Sequence, residues 1–106
     1  MPTYLVTYHG GSGMPSDPAA AQQMLAAFQA WVAEVGSVIR DPGAPLGAAK
    51  TVSGDTVVDG QTEAAVGGYT LLDAGSLDEA VGLVRSHPFL TRGGSLQVSE
   101  TVSVGG

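Results

Sequence analysis

VGGYTLLDAGSLDEAVGLV, residues 66–84, contains one strand and one helix in immediate succession. Its opening eight residues include β-branched and aromatic side chains, which favour extended backbone, so we predict a strand over Val66–Asp73. Ser76 and Glu79 then form a capping box, in which the serine side chain caps the Glu79 amide and the glutamate reaches back. The helix that begins there ends at His87-Pro88, because the residue before a proline avoids helical backbone.

The first part of the chain also places a strand before a helix. TYLVTYH, Thr3–His9, is rich in β-branched and aromatic residues and stops at the glycine-rich segment 10–13. Asp17 is a good N-cap and Pro18 suits the first helical position, so we predict a helix from there to about Val35. One arc of this helix is apolar, and we expect it to face the core rather than a ligand. The arc consists of Met24, Leu25, Phe28, Trp31, Val32 and Val35.

Shorter elements connect and follow these units. Ser37–Arg40 is a short strand candidate, and the proline- and glycine-rich segment Asp41–Ala49 is predicted to be a loop. Thr51–Ser53 and Thr56–Val58 flank Gly-Asp, a dipeptide that suits a tight hairpin turn. Ser95–Val104 alternates in polarity and is predicted to be the last strand.

The resulting order, β-α-β-hairpin-β-α-β, predicts the fold class. We expect one α+β domain over residues 1–106, with a single sheet and both helices on one face. The second face of such a sheet has no cover within the chain. Because only 13% of the residues are charged, we expect a second copy to cover it, which makes the protein a homodimer.

Composition excludes several classes of function. Ten acidic and four basic residues give a net charge of −6, which argues against nucleic acid and anionic membranes as partners. The chain has no cysteine, so disulfides, thiolate nucleophiles and cysteine-ligated zinc are excluded. The first basic residue is Arg40 and no apolar run is long enough to span a bilayer, so we expect a cytoplasmic location. Its two histidines lack metal-binding spacing, and we predict neither metal nor cofactor.

Several short motifs resemble one bacterial family in the right order along the chain. They are Tyr4–Gly11, Gly67–Asp73, Ser76–Ala80, His87-Pro88 and Gly93–Val98. Together they resemble the YCII-related (DGPF-containing) proteins. The resemblance implies a ferredoxin-like βαββαβ fold with an inserted hairpin, which dimerises in the manner of the dimeric α/β-barrel superfamily. The family's biochemical role is poorly defined; some relatives have a His–Asp pair in a cleft, and some are linked with extracytoplasmic-function sigma factors.

The chain departs from that family at its most characteristic motif. Where the family has Asp-Gly-Pro-Phe, this sequence has Asp59-Gly60-Gln61-Thr62. The aspartate and glycine are kept, whereas the proline and the aromatic ring are not. A pocket that depends on that ring is therefore not implied here.

Five residues are the candidate site. His87 and His9 are the only side chains whose ordinary pKa lies near neutral, so each is a candidate acid or base catalyst. Asp59 is the candidate carboxylate that orients a histidine, and Tyr8 and Arg40 are candidate substrate-binding residues. Ordinary structural roles remain open for three of them: a cation at a helix end for His87, a half-exposed strand end for His9, and a turn residue for Asp59.

Two functions follow from these candidates. The first is an enzyme-like domain that binds a small molecule in a cleft between sheet and helices, lined by Tyr8, His9, Asp59 and His87. The second is a non-catalytic dimeric module for regulation or protein interaction, for example beside a sigma factor. Both histidines facing one deep pocket would favour the first function.

Overall fold

The computed structural model describes residues 1–11, 15–61 and 65–103. Part of the predicted glycine-rich loop, Thr62 and the predicted strand end Val104 lie outside these residues. The elements are β1 Thr3–Gly10, α1 Pro18–Val35, β2 Ile39–Pro45, β3 Lys50–Ser53, β4 Thr56–Asp59, β5 Gly68–Asp73, α2 Leu77–Val84 and β6 Gly94–Glu100. Short 3-10 helices occupy Gly36–Val38 and Pro88–Arg92. No helix among the described residues is both long and apolar enough to cross a bilayer.

The strands form two sheets. A four-stranded sheet has the order β2-β5-β1-β6, and each neighbouring pair in it is antiparallel. β3 and β4 form a separate two-stranded sheet, which is the predicted hairpin. The predicted α+β class is therefore confirmed, and the arrangement is compatible with a ferredoxin-like fold.

One face of the four-stranded sheet carries the core. Tyr4 and Val6 of β1 lie opposite Leu72 and Thr70 of β5, and all four side chains are fully buried. Trp31 of α1 and the buried residues of α2, Ala80 and Val84, belong to the same cluster. Both helices therefore pack on this face, where burial of apolar surface is the main stabilising force.

The helix boundaries confirm the sequence signals at their starts. Asp17 Oδ2 accepts a hydrogen bond of 3.3 Å from the Ala20 amide, and Ser76 Oγ accepts one of 3.1 Å from the Glu79 amide. Glu79 reaches back one residue further than a standard capping box and accepts the Gly75 N–H at 3.0 Å. These bonds satisfy amides that the first helical turn leaves without partners.

Three details of the predicted core and strands are wrong. Leu25, predicted on the apolar arc of α1, is 54% exposed, because the helix contacts the sheet mainly through its C-terminal half. Residues Ser37 and Val38 belong to a 3-10 helix rather than to a strand. β6 ends at Glu100, so Thr101–Ser103 do not continue the last strand.

The segment predicted as a loop over Asp41–Ala49 begins as an irregular strand. β2 runs to Pro45 and pairs with β5 through two shifts of register. At the second shift the Gly43 N–H donates to Asp41 Oδ1 at 2.8 Å, and Gly43 has a φ of 78°. A Cβ on Gly43 would lie 1.6 Å from the Tyr69 carbonyl oxygen, so only glycine is accommodated. β2 is an edge strand, where bulges and proline are tolerated.

The second face of the four-stranded sheet points away from both helices. Because side chains alternate along a strand, Leu5, Thr7 and His9 of β1 lie on this face, in register with Leu71 and Tyr69 of β5. All five residues are half-exposed. We call this surface the open sheet face.

Candidate functional site

His87 lies in the core, immediately before the proline that begins a 3-10 helix. Its backbone is extended, as expected for a residue before proline. Its Nδ1 accepts the Phe89 amide hydrogen at 3.0 Å, so the side chain caps that 3-10 helix. Only 3% of the residue is exposed. A side chain that caps a helix from inside the core has a fixed position and a fixed ring orientation.

A chain of hydrogen bonds leads from His87 across the sheet. Because Nδ1 accepts a hydrogen bond, the neutral imidazole carries its proton on Nε2 and donates to Tyr8 Oη at 2.8 Å. Tyr8 then donates to Thr70 Oγ1 at 2.7 Å, and Thr70 donates to the Pro42 carbonyl oxygen at 2.8 Å. Each hydroxyl has a single hydrogen to donate, so all three hydrogen bonds run in the same direction, from His87 toward the Pro42 carbonyl.

Aromatic rings surround the imidazole. The ring centre of Trp31 lies 4.4 Å away, that of Tyr8 5.0 Å and that of Phe28 5.7 Å. Burial among them, with a smaller contribution from the positive charge of Arg92, lowers the pKa of His87 from 6.5 to about 4. His87 is therefore neutral near pH 7 and does not act there as a cation at a helix end.

This arrangement limits what His87 does chemically. Nδ1 is occupied by an amide, and Nε2 carries a proton that is already donated to Tyr8. Burial raises the pKa of Tyr8, so its hydroxyl keeps its proton as well. In this conformation the hydrogen of His87 Nε2, the hydrogen of the Tyr8 hydroxyl and the lone pair of His87 Nδ1 are all engaged in hydrogen bonds within the protein. The geometry is that of a satisfied buried network, which fixes the core in one arrangement.

Asp59 lies on the surface of the hairpin, outside the core. It ends β4, its side chain is 87% exposed, and its carboxylate accepts a hydrogen bond of 2.6 Å from Lys50 Nζ across the hairpin. Within the described ranges, no hydrogen bond or ion pair joins Asp59 to His9 or to His87. The orienting role of Asp59 remains a prediction, and the partner that the structure gives it is Lys50.

His9 lies on the open sheet face. Its Nδ1 is 3.0 Å from the Ala65 carbonyl oxygen and therefore donates, while its Nε2 accepts from Thr7 Oγ1 at 2.8 Å. Tyr8, its neighbour in β1, points to the opposite face and contacts His87. The sheet therefore separates the imidazole of His9 from that of His87.

Tyr8 and Arg40, the candidate substrate-binding residues, lie in unlike environments. Tyr8 is the predicted residue that the structure brings to His87. Arg40 Nε donates to both oxygens of Asp73, at 3.1 and 3.3 Å, and Thr3 adds a third hydrogen bond to the same carboxylate. The bonds from Arg40 and Thr3 hold the pKa of Asp73 below its usual value. Because the Arg40 side chain is 60% exposed, solvent screens this pair and its contribution to stability is small.

Two residues of the buried network were missed by the sequence analysis. Thr70 shares a strand face with Leu72, so its position already indicated a buried hydroxyl that needs partners. Phe89 packs against Gly94 so closely that a Cβ there would lie 2.1 Å from a ring carbon. No sequence pattern indicates that contact, because residue 94 belongs to a different element.

Two surface hollows of the described residues lie away from the histidines. One is an apolar groove of about 310 Å³ between α2 and β6, and the other adjoins Lys50 and Asp59. Neither is lined by a histidine. In the same described ranges, no cluster of three or more histidine and carboxylate side chains is arranged to hold a metal ion.

Comparison of the chain with protein-family models, with curated proteins and with solved structures finds no match. The resemblance to the YCII-related proteins therefore stays a prediction that rests on the short motifs described above.

Proposed function

We propose that the chain is a non-catalytic dimeric interaction module. The observation that carries this proposal is the open sheet face, where Leu5, Leu71 and Tyr69 stay half-exposed while both helices pack on the other side. An apolar surface of this kind is characteristic of protein association. The separation of the two histidines by the sheet supports the absence of catalysis, because acid–base pairs act from one pocket.

The proposal includes a specific topology. With the β3–β4 hairpin counted as an insertion, the strand order β2-β5-β1-β6 supports a ferredoxin-like βαββαβ topology. Two such sheets that stack through their open faces make a dimeric α/β barrel. Sheets that pack face to face lie about 10 Å apart, so the half-exposed side chains of the two copies interdigitate. This arrangement also agrees with the resemblance to the YCII-related family.

Light scattering of two matched variants tests the dimer. We expect the wild-type protein to have the mass of a dimer at micromolar concentration. Leu71→Glu places a charge in the centre of the open sheet face and should give a monomer, because a buried unpaired charge opposes association. Gln29→Glu adds the same charge on an exposed position of α1 and should leave a dimer. A monomeric wild-type protein, or a dimeric Leu71→Glu variant with native circular dichroism, contradicts the proposal.

A small-molecule-binding domain is the second candidate. The hydrogen bond of 2.8 Å between Tyr8 Oη and His87 Nε2 favours it, because it brings a candidate substrate-binding residue to a candidate acid–base residue. Native mass spectrometry of freshly purified protein would show a ligand retained from the expression host. The second candidate also requires that this ligand shift the NMR signals of the His87 ring. An unchanged ring signal, or no bound mass, leaves the interaction module.

A further inference from the structure

The β3–β4 hairpin, residues 50–59, extends from the domain as an arm. Nine of its ten residues are exposed, and these include Val52, Val57 and Val58 at 68%, 60% and 61%. An isolated two-stranded hairpin is at best marginally stable in water. Exposed valines on such a hairpin indicate that another surface covers it.

The two faces of the arm differ in composition. Val52 pairs with Val57, and Lys50 pairs with Asp59, so these four side chains share one face. Thr51 and Val58 lie on the other face. The turn begins with Gly54 at a φ of 58°, and Asp55 follows at the tip, where it is exposed. The first face thus presents two adjacent valines just behind an acidic tip.

The groove between α2 and β6 has complementary properties. Leu77 and Val81 of α2 form one wall, Leu96 of β6 forms the other, and Leu90 closes one part. Leu77 and Leu90 are 44% and 39% exposed. Arg85 also lines the groove and makes no ion pair with any described residue. In a chain with only four basic residues, an unpaired arginine beside an apolar groove marks a site for an acidic partner.

The arm does not reach this groove within one chain. The arm leaves the sheet from β2, at one edge, whereas the groove adjoins β6, at the opposite edge. Three strand spacings, roughly 14 Å, separate the two edges, and none of residues 50–59 lines the groove. The groove of a second copy, by contrast, is open to the arm.

We propose that the arm of one protomer docks into the groove of a second copy of this chain. Val52 and Val57 then cover the wall formed by Leu77 and Val81 of the partner subunit, and Asp55 pairs with Arg85 of the partner subunit. This proposal rests on the face-to-face dimer proposed above. A two-fold axis parallel to the strands places β2 of one copy over β6 of the other. Because Leu96 and Val98 lie on the helix face of β6, each arm must pass around that edge strand to enter the groove, and the two-fold axis makes both contacts reciprocal.

Disulfide trapping tests the contact directly, because the natural chain has no cysteine. One protomer carries Val57→Cys and the other carries Val81→Cys; the two are mixed and oxidised. We expect a covalent dimer in denaturing electrophoresis. The control pairs Thr51→Cys, on the other face of the arm, with the same Val81→Cys protomer and should remain monomeric there.

A matched pair of valine variants measures the energetic contribution. Val57→Ser should weaken dimerisation about tenfold, because it removes a buried apolar side chain. Val58→Ser, the same change on the other face of the same strand, should leave the dissociation constant within about twofold of the wild type. Asp55→Arg and Arg85→Asp should each weaken the dimer, and the double variant should restore it.

The outcomes separate the two proposals. A wild-type dimer that gives no Val57→Cys to Val81→Cys cross-link, and that is affected equally by Val57→Ser and Val58→Ser, overturns the docking of the arm and leaves the sheet-face dimer. A monomeric wild type overturns the sheet-face dimer. Cross-linking together with a weaker dimer for Val57→Ser alone supports the arm contact.

Discussion

Acid should weaken the folded state through His87 before it affects the carboxylates. The folded state binds a proton on His87 only near pH 4, whereas the unfolded chain binds one near pH 6.5. The contribution of the neutral imidazole to the free energy of unfolding is therefore complete above pH 6.5 and is lost as the pH falls toward 4. One pKa unit corresponds to about 1.4 kcal/mol, so the upper limit is about 3 kcal/mol. Because structural relaxation and water penetration reduce the penalty of a buried charge, we expect the pH-dependent loss of stability to be about 2 kcal/mol.

The structure supplies a probe for this measurement. Trp31 is the single tryptophan, and its ring centre lies 4.4 Å from that of His87. Urea unfolding followed by tryptophan fluorescence at several pH values between 7 and 4 gives the free energy of unfolding at each. Protein concentration is held constant, since dimerisation also stabilises the folded state. Asp73, whose pKa is below its usual value, loses its contribution only at lower pH.

Two variants identify the titrating group. His87→Gln removes the buried imidazole, and its free energy of unfolding should depend only weakly on pH between 6.5 and 5. His9→Gln leaves the buried imidazole in place and should keep the part of the pH dependence that His87 causes. The change of the unfolding free energy with pH is compared rather than its absolute value, because His87→Gln also removes the hydrogen bond from the Phe89 amide to the His87 ring. Equal slopes for the wild type and His87→Gln would refute the burial argument.

Three further changes should alter stability by other routes. Trp31→Ala should cost about 3–5 kcal/mol in thermal or urea unfolding, since it empties a buried site; near-wild-type stability would show that the ring is not in the core. Gly94→Ala should lower the melting temperature, at a cost of about 1–3 kcal/mol, because its Cβ would overlap the Phe89 ring; an unchanged melting temperature would argue against that contact. Thr70→Val should cost about 1–3 kcal/mol in urea unfolding, because Tyr8 loses its acceptor; a neutral effect would mean that water replaces the hydroxyl.

Most helices and strands were predictable because short stretches of sequence, such as helix caps and runs of β-branched residues, determine where they begin. The caps Asp17 and Ser76 begin helices whatever the rest of the chain does. β2 was missed beyond Arg40 because proline and glycine indicate a loop unless the strand is an edge. That position depends on pairing with β5, about 30 residues later in the chain, and no local pattern reports it.

Only part of the candidate site was predictable. The alternation of side chains along a strand already shows from the sequence which candidates can share a pocket. A strand over Thr3–His9 puts Tyr8 and His9 on opposite faces, so the two never line one pocket unless the strand is bulged. The structure has no bulge there, and Tyr8 alone reaches His87. His87 can bond only to side chains on its own face of the sheet. Among the described residues its hydrogen-bonded side-chain network consists of the hydroxyls of Tyr8 and Thr70 and includes no carboxylate. A histidine bonded to hydroxyls in an aromatic setting stays neutral, whereas a carboxylate partner would favour its charged form. The absence of a carboxylate beside His87 among the described contacts is therefore the physical reason to regard this imidazole as part of the core and to seek function on the surfaces that the fold leaves uncovered.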